Sequence, residues 1–128
     1  MSIDIIIDKA DKQLDYGSYK KAEKLYREAL TAMSEPRSKH ERFFEVQVAI
    51  GDTLIWQNKI AAAAKLFEKI KLIEGAESNA YLHLRLGQLA FESDNLDVAQ
   101  VELKKALKLG GEELFEDESE DYYQLALK

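Results

Sequence analysis

Three stretches of this sequence repeat one pattern of small and bulky residues, and that pattern limits the fold more than any other feature. Each stretch has a small residue, an alanine twelve positions later, and apolar residues four and seven positions beyond that alanine. The three sets are Ala10, Ala22, Tyr26 and Ala29; Gly51, Ala63, Phe67 and Ile70; and Gly87, Ala99, Leu103 and Ala106. Small residues let two helices cross closely, while the bulky residue fills the gap toward the next pair. The pattern therefore predicts three packed helix pairs.

Apolar residues recur along the chain with helical spacing, and turn-forming residues separate the helices. The helix pairs are predicted over residues 2–33, 38–74 and 77–109. Ser38 is a candidate N-cap for the third helix, and Gly75 is a candidate for the glycine that ends the fourth. Residues 110–128 form an acidic tail, in which Ser119 is predicted to cap a short seventh helix. The predicted fold class is all-α, with antiparallel helix pairs and a C-terminal capping helix within a single domain.

Composition excludes several kinds of protein. The chain has 128 residues, of which 46% are hydrophobic and 33% charged, values typical of an ordered globular domain. The absence of cysteine excludes a disulfide framework, a thiolate metal site and a cysteine nucleophile. The net charge of −6 argues against nucleic acid or an anionic membrane as the main partner. Residues 110–128 alone account for that charge, because the remainder of the chain is balanced.

The repeated pattern resembles the tetratricopeptide repeat. That family has Leu-Gly in the first helix of each pair and Ala-x3-Phe/Tyr-x2-Ala in the second, with a 34-residue period. The matching residues are Ile50-Gly51, Leu86-Gly87, Ala22/Tyr26/Ala29, Ala63/Phe67 and Ala99/Ala106. The resemblance covers about residues 3–110. It departs from the family in its spacing, since the repeat alanines are 41 and then 36 positions apart, and in lacking the family tryptophan.

The resemblance implies that the first helices of the pairs line a concave groove that binds a peptide or a partner protein. The groove-lining residues that it implies carry seven acids and one arginine. They are Asp4, Asp8, Asp11, Asp15, Glu45, Asp52, Ile55, Trp56, Tyr81, Arg85, Gln88, Phe91 and Glu92. A groove of this charge suits a basic peptide or a cationic protein surface. We therefore expect a protein partner that is basic, and a chain that is a monomer or a weak homo-oligomer.

Two features of this surface have more than one interpretation. The aspartates from Asp4 to Asp15 share one helix face, which is either a solvated face or a binding surface. Like charges four residues apart destabilise a helix slightly, which favours a purpose for them. Trp56 is either a core residue or the anchor of an interface. Lys20, Lys21, Lys24 and Arg27 form a further basic patch, to which the following loop adds Arg37, Lys39 and Arg42, and we interpret this patch as a solvated outer face.

No catalytic constellation is present in the sequence. The two histidines, His40 and His83, stand without a metal-binding or nucleophile motif, and His83 lies in an apolar helix where it is predicted to pack. We therefore expect a non-enzymatic protein with no cofactor and no metal, in the cytoplasm. A different possibility is an immunity or inhibitor protein that neutralises a basic toxin, such as a nuclease, in a tight 1:1 complex.

Overall fold

In a computed structural model, residues 2–128 form seven α-helices and no β-strand. The α-helices are α1 (Ile3–Asp15), α2 (Tyr19–Ala32), α3 (Phe43–Trp56), α4 (Ile60–Ile70), α5 (Ala80–Glu92), α6 (Leu96–Gly110) and α7 (Glu120–Leu127). Short 3₁₀ helices cover Arg37–Lys39, Ala76–Ser78 and Glu112–Phe115. The all-α prediction is thus confirmed. Within the described range, no helix combines the length and the apolar character needed to cross a membrane.

The chain divides into two compact units, Met1–Leu66 and Phe67–Lys128, and the boundary between them falls within α4. In the first unit α2 packs against α1 and against α3. In the second unit α6 packs against α5 and against α7. Within each unit, these packed helices follow one another in sequence, as short connections require.

The same turn joins the two helices of every pair. Its central residue has a left-handed backbone, which Gly, Asn and Asp adopt more readily than other residues. These central residues are Gly17, Asn58 and Asp94. The next residue donates its N–H to the carbonyl five positions back, in the pairs Ser18–Gln13, Lys59–Leu54 and Asn95–Ala90. Each central residue stands five positions before a repeat alanine, so the backbone repeats with the sequence.

The small residues of the pattern lie where helices approach most closely. Ala10, Ala22 and Ala29 in the first unit are fully buried. In the second unit, a Cβ atom on Gly87 would lie 2.6 Å from Cγ and Cδ2 of Leu103, closer than real side chains come. The interpretation of these positions as close helix crossings is thus confirmed for Gly87 and Leu103.

Two of the predicted helix ends are wrong. Ser38 lies within the 3₁₀ helix Arg37–Lys39, and α3 begins only at Phe43, so Ser38 caps no α-helix. The helix α4 ends at Ile70 rather than near Gly75, because hydrogen bonds from the N–H groups of Leu72 and Ile73 span only three residues and tighten the chain. Gly75 is left-handed, but it precedes the 3₁₀ helix Ala76–Ser78 instead of ending α4.

The acidic tail packs onto the helices of the second unit. Ser119 accepts a hydrogen bond from the N–H of Asp121 and starts α7 as predicted. Phe115, Tyr122 and Ala126 are buried with Leu84, Ala99, Leu103 and Ala106 in one hydrophobic cluster. Leu114, Tyr123 and Leu125 pack against its edge. The tail therefore completes the hydrophobic core of this unit.

The contact between Gly87 and Leu103 predicts a non-additive pair of substitutions. Gly87→Ala gains about 1 kcal/mol of helix propensity but forces a methyl group against Leu103, at a cost of about 1–3 kcal/mol. We expect net destabilisation in the wild-type background and a smaller cost in a Leu103→Ala background, where Cγ and Cδ2 are gone and only the backbone N of Leu103 stays close, at 3.2 Å. Urea unfolding of the four proteins measures this coupling. An identical effect of Gly87→Ala in both backgrounds would contradict the close crossing.

The buried tail predicts that Phe115 stabilises the second unit. Phe115→Ala should lower the free energy of unfolding by about 3 kcal/mol, since it leaves a cavity in the cluster. Leu127→Ala is the matched control, because this side chain is 54% exposed and its loss should cost about 0.5 kcal/mol at most. Thermal or urea unfolding compares the two. Equal effects would show that the tail does not contribute to the core.

Candidate functional site

The acidic residues at the start of the predicted groove are joined by one arginine. Arg42 donates from Nη1 to Asp4 at 2.9 Å, and from Nη2 and Nε to Glu45 at 2.6 and 3.2 Å. Glu45 and then Asp4 raise the pKa of Arg42 above its ordinary value through these bonds. Arg42 therefore belongs to the α1–α3 face and not to the basic patch on α2. Asp4 and Glu45 consequently add little net charge to that face.

Further along the same helices, carboxylates surround the hydroxyl group of Tyr26. Tyr26 extends from α2 and donates to Asp11 Oδ1 on α1 at 2.5 Å. Burial, then the hydrogen bond to Asp11, then the charges of Asp11, Asp15 and Asp52 raise the pKa of Tyr26 above its ordinary value. Asp52 is only 7% exposed, whereas Asp8, Asp11 and Asp15 are exposed. The first unit thus brings together acids that α1 and α3 contribute separately.

Trp56 ends α3 and is 43% exposed. Its ring packs on Tyr19 of α2, with ring centroids 5.5 Å apart and planes inclined at 37°. Ile55 beside it is partly buried. The core interpretation of Trp56 is therefore wrong, because a large part of the indole faces solvent. The interface interpretation stays a prediction.

The residues predicted from the third helix pair form a polar network within the second unit. Arg85 is 5% exposed and donates to Tyr81 Oη at 2.6 Å, to Gln88 Oε1 at 2.6 Å and to Glu118 Oε1 at 3.1 Å. Its guanidinium carbon also lies 4.7 Å from the centre of the Tyr81 ring. Since Glu118 belongs to the tail, Arg85 connects α5 to residues that follow α6. Arg85 is an internal charge of this unit and not an exposed one.

Phe91 and Glu92, at the end of α5, also contact the tail. Tyr122 packs edge-on against Phe91 with ring centroids 5.2 Å apart, and its hydroxyl donates to Glu92 Oε1 at 2.6 Å. Burial and the carboxylate of Glu92 raise the pKa of Tyr122. Residues that the resemblance assigns to partner binding therefore already contact the tail in this unit. The exposed acids of α1 remain the most accessible part of the predicted site.

The second histidine is a structural residue. His83 is buried in α5, with Nε2 donating to the Glu77 carbonyl at 2.8 Å and Nδ1 2.6 Å from Glu102 Oε2. The prediction that His83 packs is confirmed. In the part of the chain that the structure describes, no three His, Asp or Glu side chains are grouped as a metal site.

Three contacts were missed by sequence reasoning: Arg42 with Asp4 and Glu45, Tyr26 with Asp11, and the tail with Arg85 and Glu92. The first joins residues 38 positions apart and has no local sequence signal. Tyr26 had a signal, since a tyrosine at a buried bulky position needs a partner for its hydroxyl. The tail contacts depend on the path of residues 111–119, which no periodic pattern predicts.

No family model matches the chain, and no curated protein matches it.

The carboxylates around Tyr26 predict an alkaline loss of stability. In the unfolded chain the phenol ionises near pH 10, whereas the raised pKa keeps it neutral in the folded protein. The stabilising contribution is therefore complete below pH 10 and falls by about 1.4 kcal/mol by pH 11. We expect the stability difference between wild type and Tyr26→Phe to shrink by this amount between pH 8 and 11 in urea unfolding.

Tyr16→Phe is the matched control for this experiment, because Tyr16 is 77% exposed. Its stability difference from wild type should stay constant over the same range. The other tyrosines are common to the compared proteins and cancel. Parallel pH profiles for wild type and Tyr26→Phe would contradict the electrostatic environment described for this hydroxyl.

Proposed function

We propose that this protein is a non-catalytic protein-binding module, a tetratricopeptide-like array of three helix pairs with α7 as its C-terminal cap. Its partner is a Lys/Arg-rich peptide or the basic surface of another protein. Three features support the array: the shared turn at Gly17, Asn58 and Asp94, the buried small residues, and the packing of consecutive helices. Repeats of this type stack into a surface that recognises extended peptides.

The observation that carries the proposed binding site is the group of carboxylates around Tyr26. Asp8, Asp11 and Asp15 are exposed on successive turns of α1, and Asp11 is held in place by the Tyr26 hydroxyl. A charged group fixed by a buried partner loses less conformational entropy on binding than a free side chain does. Accumulated negative potential on one face also speeds the capture of a cationic partner.

The burial of Asp52 and Arg85 reduces the number of residues that we assign to direct contact with the partner. Both are more than nine-tenths buried, so we assign them to holding the framework and not to direct contact with a partner. Asp4 and Glu45 are bound by Arg42. Direct contact is therefore assigned to Asp8, Asp11 and Asp15, with Trp56 as an exposed aromatic surface for the apolar part of a ligand.

A peptide titration tests this function. Trp56 is the only tryptophan, so its fluorescence is the readout. A nonapeptide of alternating Arg and Ala should change the emission at low salt, whereas the matching uncharged Gln–Ala peptide should not. The double variant Asp8→Asn/Asp15→Asn should weaken binding about fivefold, since each exposed ion pair contributes at most about 1 kcal/mol.

Asp94→Asn/Asp97→Asn is the control, because it removes two exposed charges from the second unit and leaves α1 unchanged. This variant should bind the cationic peptide as the wild type does. Equal weakening by both double variants would show that only net charge matters. The proposed site would then be wrong, as it would be if the peptide left the Trp56 emission unchanged.

A further inference from the structure

A second surface of the first unit has the opposite charge. A groove of about 1140 Å³ runs along α2 and the turn before α4. The cations among its lining residues are Lys20, Lys21, Lys24, Arg27 and Lys59, against the two acids Glu23 and Glu28. Tyr19, which packs on Trp56, adds an aromatic wall. This α2 groove contains most of the basic patch that the sequence indicated.

The positive charge of the α2 groove is only partly used within the chain. Arg27 donates to Glu23 at 2.8 Å, and Gln57 donates to the other oxygen of the same carboxylate at 2.8 Å. Burial raises the pKa of Glu23, but these two bonds lower it below its ordinary value. The carboxylate is therefore ionised and already bound by Arg27 and Gln57. Across residues 2–128, no ion pair joins Lys20, Lys21 or Lys24 to a carboxylate.

The start of α2 increases the attraction for anions in the groove. Its first turn contains no acidic residue, and the Ser18 side chain makes no capping hydrogen bond among the described residues. The backbone N–H groups of that turn therefore add a partial positive charge at Ser18 and Tyr19, which line the same groove.

An acidic segment of matching character is held on the surface of the second unit. Residues 112–121 contain seven carboxylates, and the six exposed ones are Glu112, Glu113, Glu116, Asp117, Glu120 and Asp121. Phe115 within the segment and Tyr122 directly after it are buried and anchor it. The carboxylates are thus presented on a folded surface instead of a free chain, which lowers the entropy lost when they bind.

We propose that the α2 groove of one copy of this protein binds the acidic segment 112–121 of a second copy. Charge complementarity carries the assignment: the groove has a surplus of cations, and the segment has six exposed acids and no base. The contact is heterologous, because it joins two different surfaces of the chain.

Sedimentation velocity on the full chain, with two charge-reversal variants, tests this contact. Lys20→Glu/Lys24→Glu changes the net charge of the groove lining from +3 to −1. Glu113→Lys/Glu116→Lys/Asp117→Lys/Glu120→Lys changes that of the segment from −7 to +1, and all six side chains are exposed. The wild type should show a sedimentation coefficient that rises with concentration at about 50 mM salt. At about 500 mM salt the association should weaken by roughly tenfold or more, because exposed charges are then screened.

Each variant alone should remain monomeric, since its groove and its segment carry the same sign. An equimolar mixture of the two should associate again, because each groove then meets a segment of opposite charge. A misfolded variant would not restore association, so recovery in the mixture excludes that explanation. Asp94→Asn/Asp97→Asn is a further control, because both side chains are exposed and lie outside the groove and the segment, and it should associate as the wild type does.

Four results would overturn the proposal. They are a wild type without concentration dependence, variants that associate unchanged, a mixture that stays monomeric, and loss of association in the aspartate control alone. A ten-residue glutamate peptide tests whether the α2 groove binds an acidic segment that does not come from a second copy of this chain. If that peptide binds the groove of a wild type that does not self-associate, the groove takes the acidic segment of another protein.

Discussion

The close approach of paired helices is the constraint on which the other contacts depend. Gly87 leaves room for Leu103 at a distance that no side chain on that position would permit. In the first unit, the fully buried Ala10 and Ala22 allow similarly tight packing between helices that contact each other. Two helices held this near to each other have little freedom to rotate or slide, because interiors are close-packed. The positions of the side chains on the outward faces of the two helices are therefore fixed as well.

That fixed geometry brings polar side chains from different helices together. Tyr26 reaches from α2 to Asp11 on α1, and Arg42 joins Asp4 to Glu45. In the second unit, Arg85 reaches Glu118 of the tail. Each of these bonds needs a backbone that places its partners within about 3 Å of one another. The polar contacts thus follow from the apolar packing, and they specify the relative position of the elements that they join.

The first unit also separates charge by helix. Exposed acids follow α1, whereas unpaired lysines follow α2. Because the two helices pack through their small residues, the charged faces point away from that contact. A protein with little net charge in this part of the sequence consequently has two surfaces of opposite sign. Total charge describes solubility, while the arrangement of charges decides which partners each surface attracts.

Periodicity and small-residue spacing in the sequence determined the all-α fold and the order of the helices. These features are local, since helical spacing and turn residues act over a few positions. Only the tertiary structure decided that Arg42 neutralises Asp4, that Asp52 and Arg85 are buried, and that Trp56 is exposed beside Tyr19. Such contacts join residues far apart in sequence, so they depend on how the helices pack and not on any pattern within one helix.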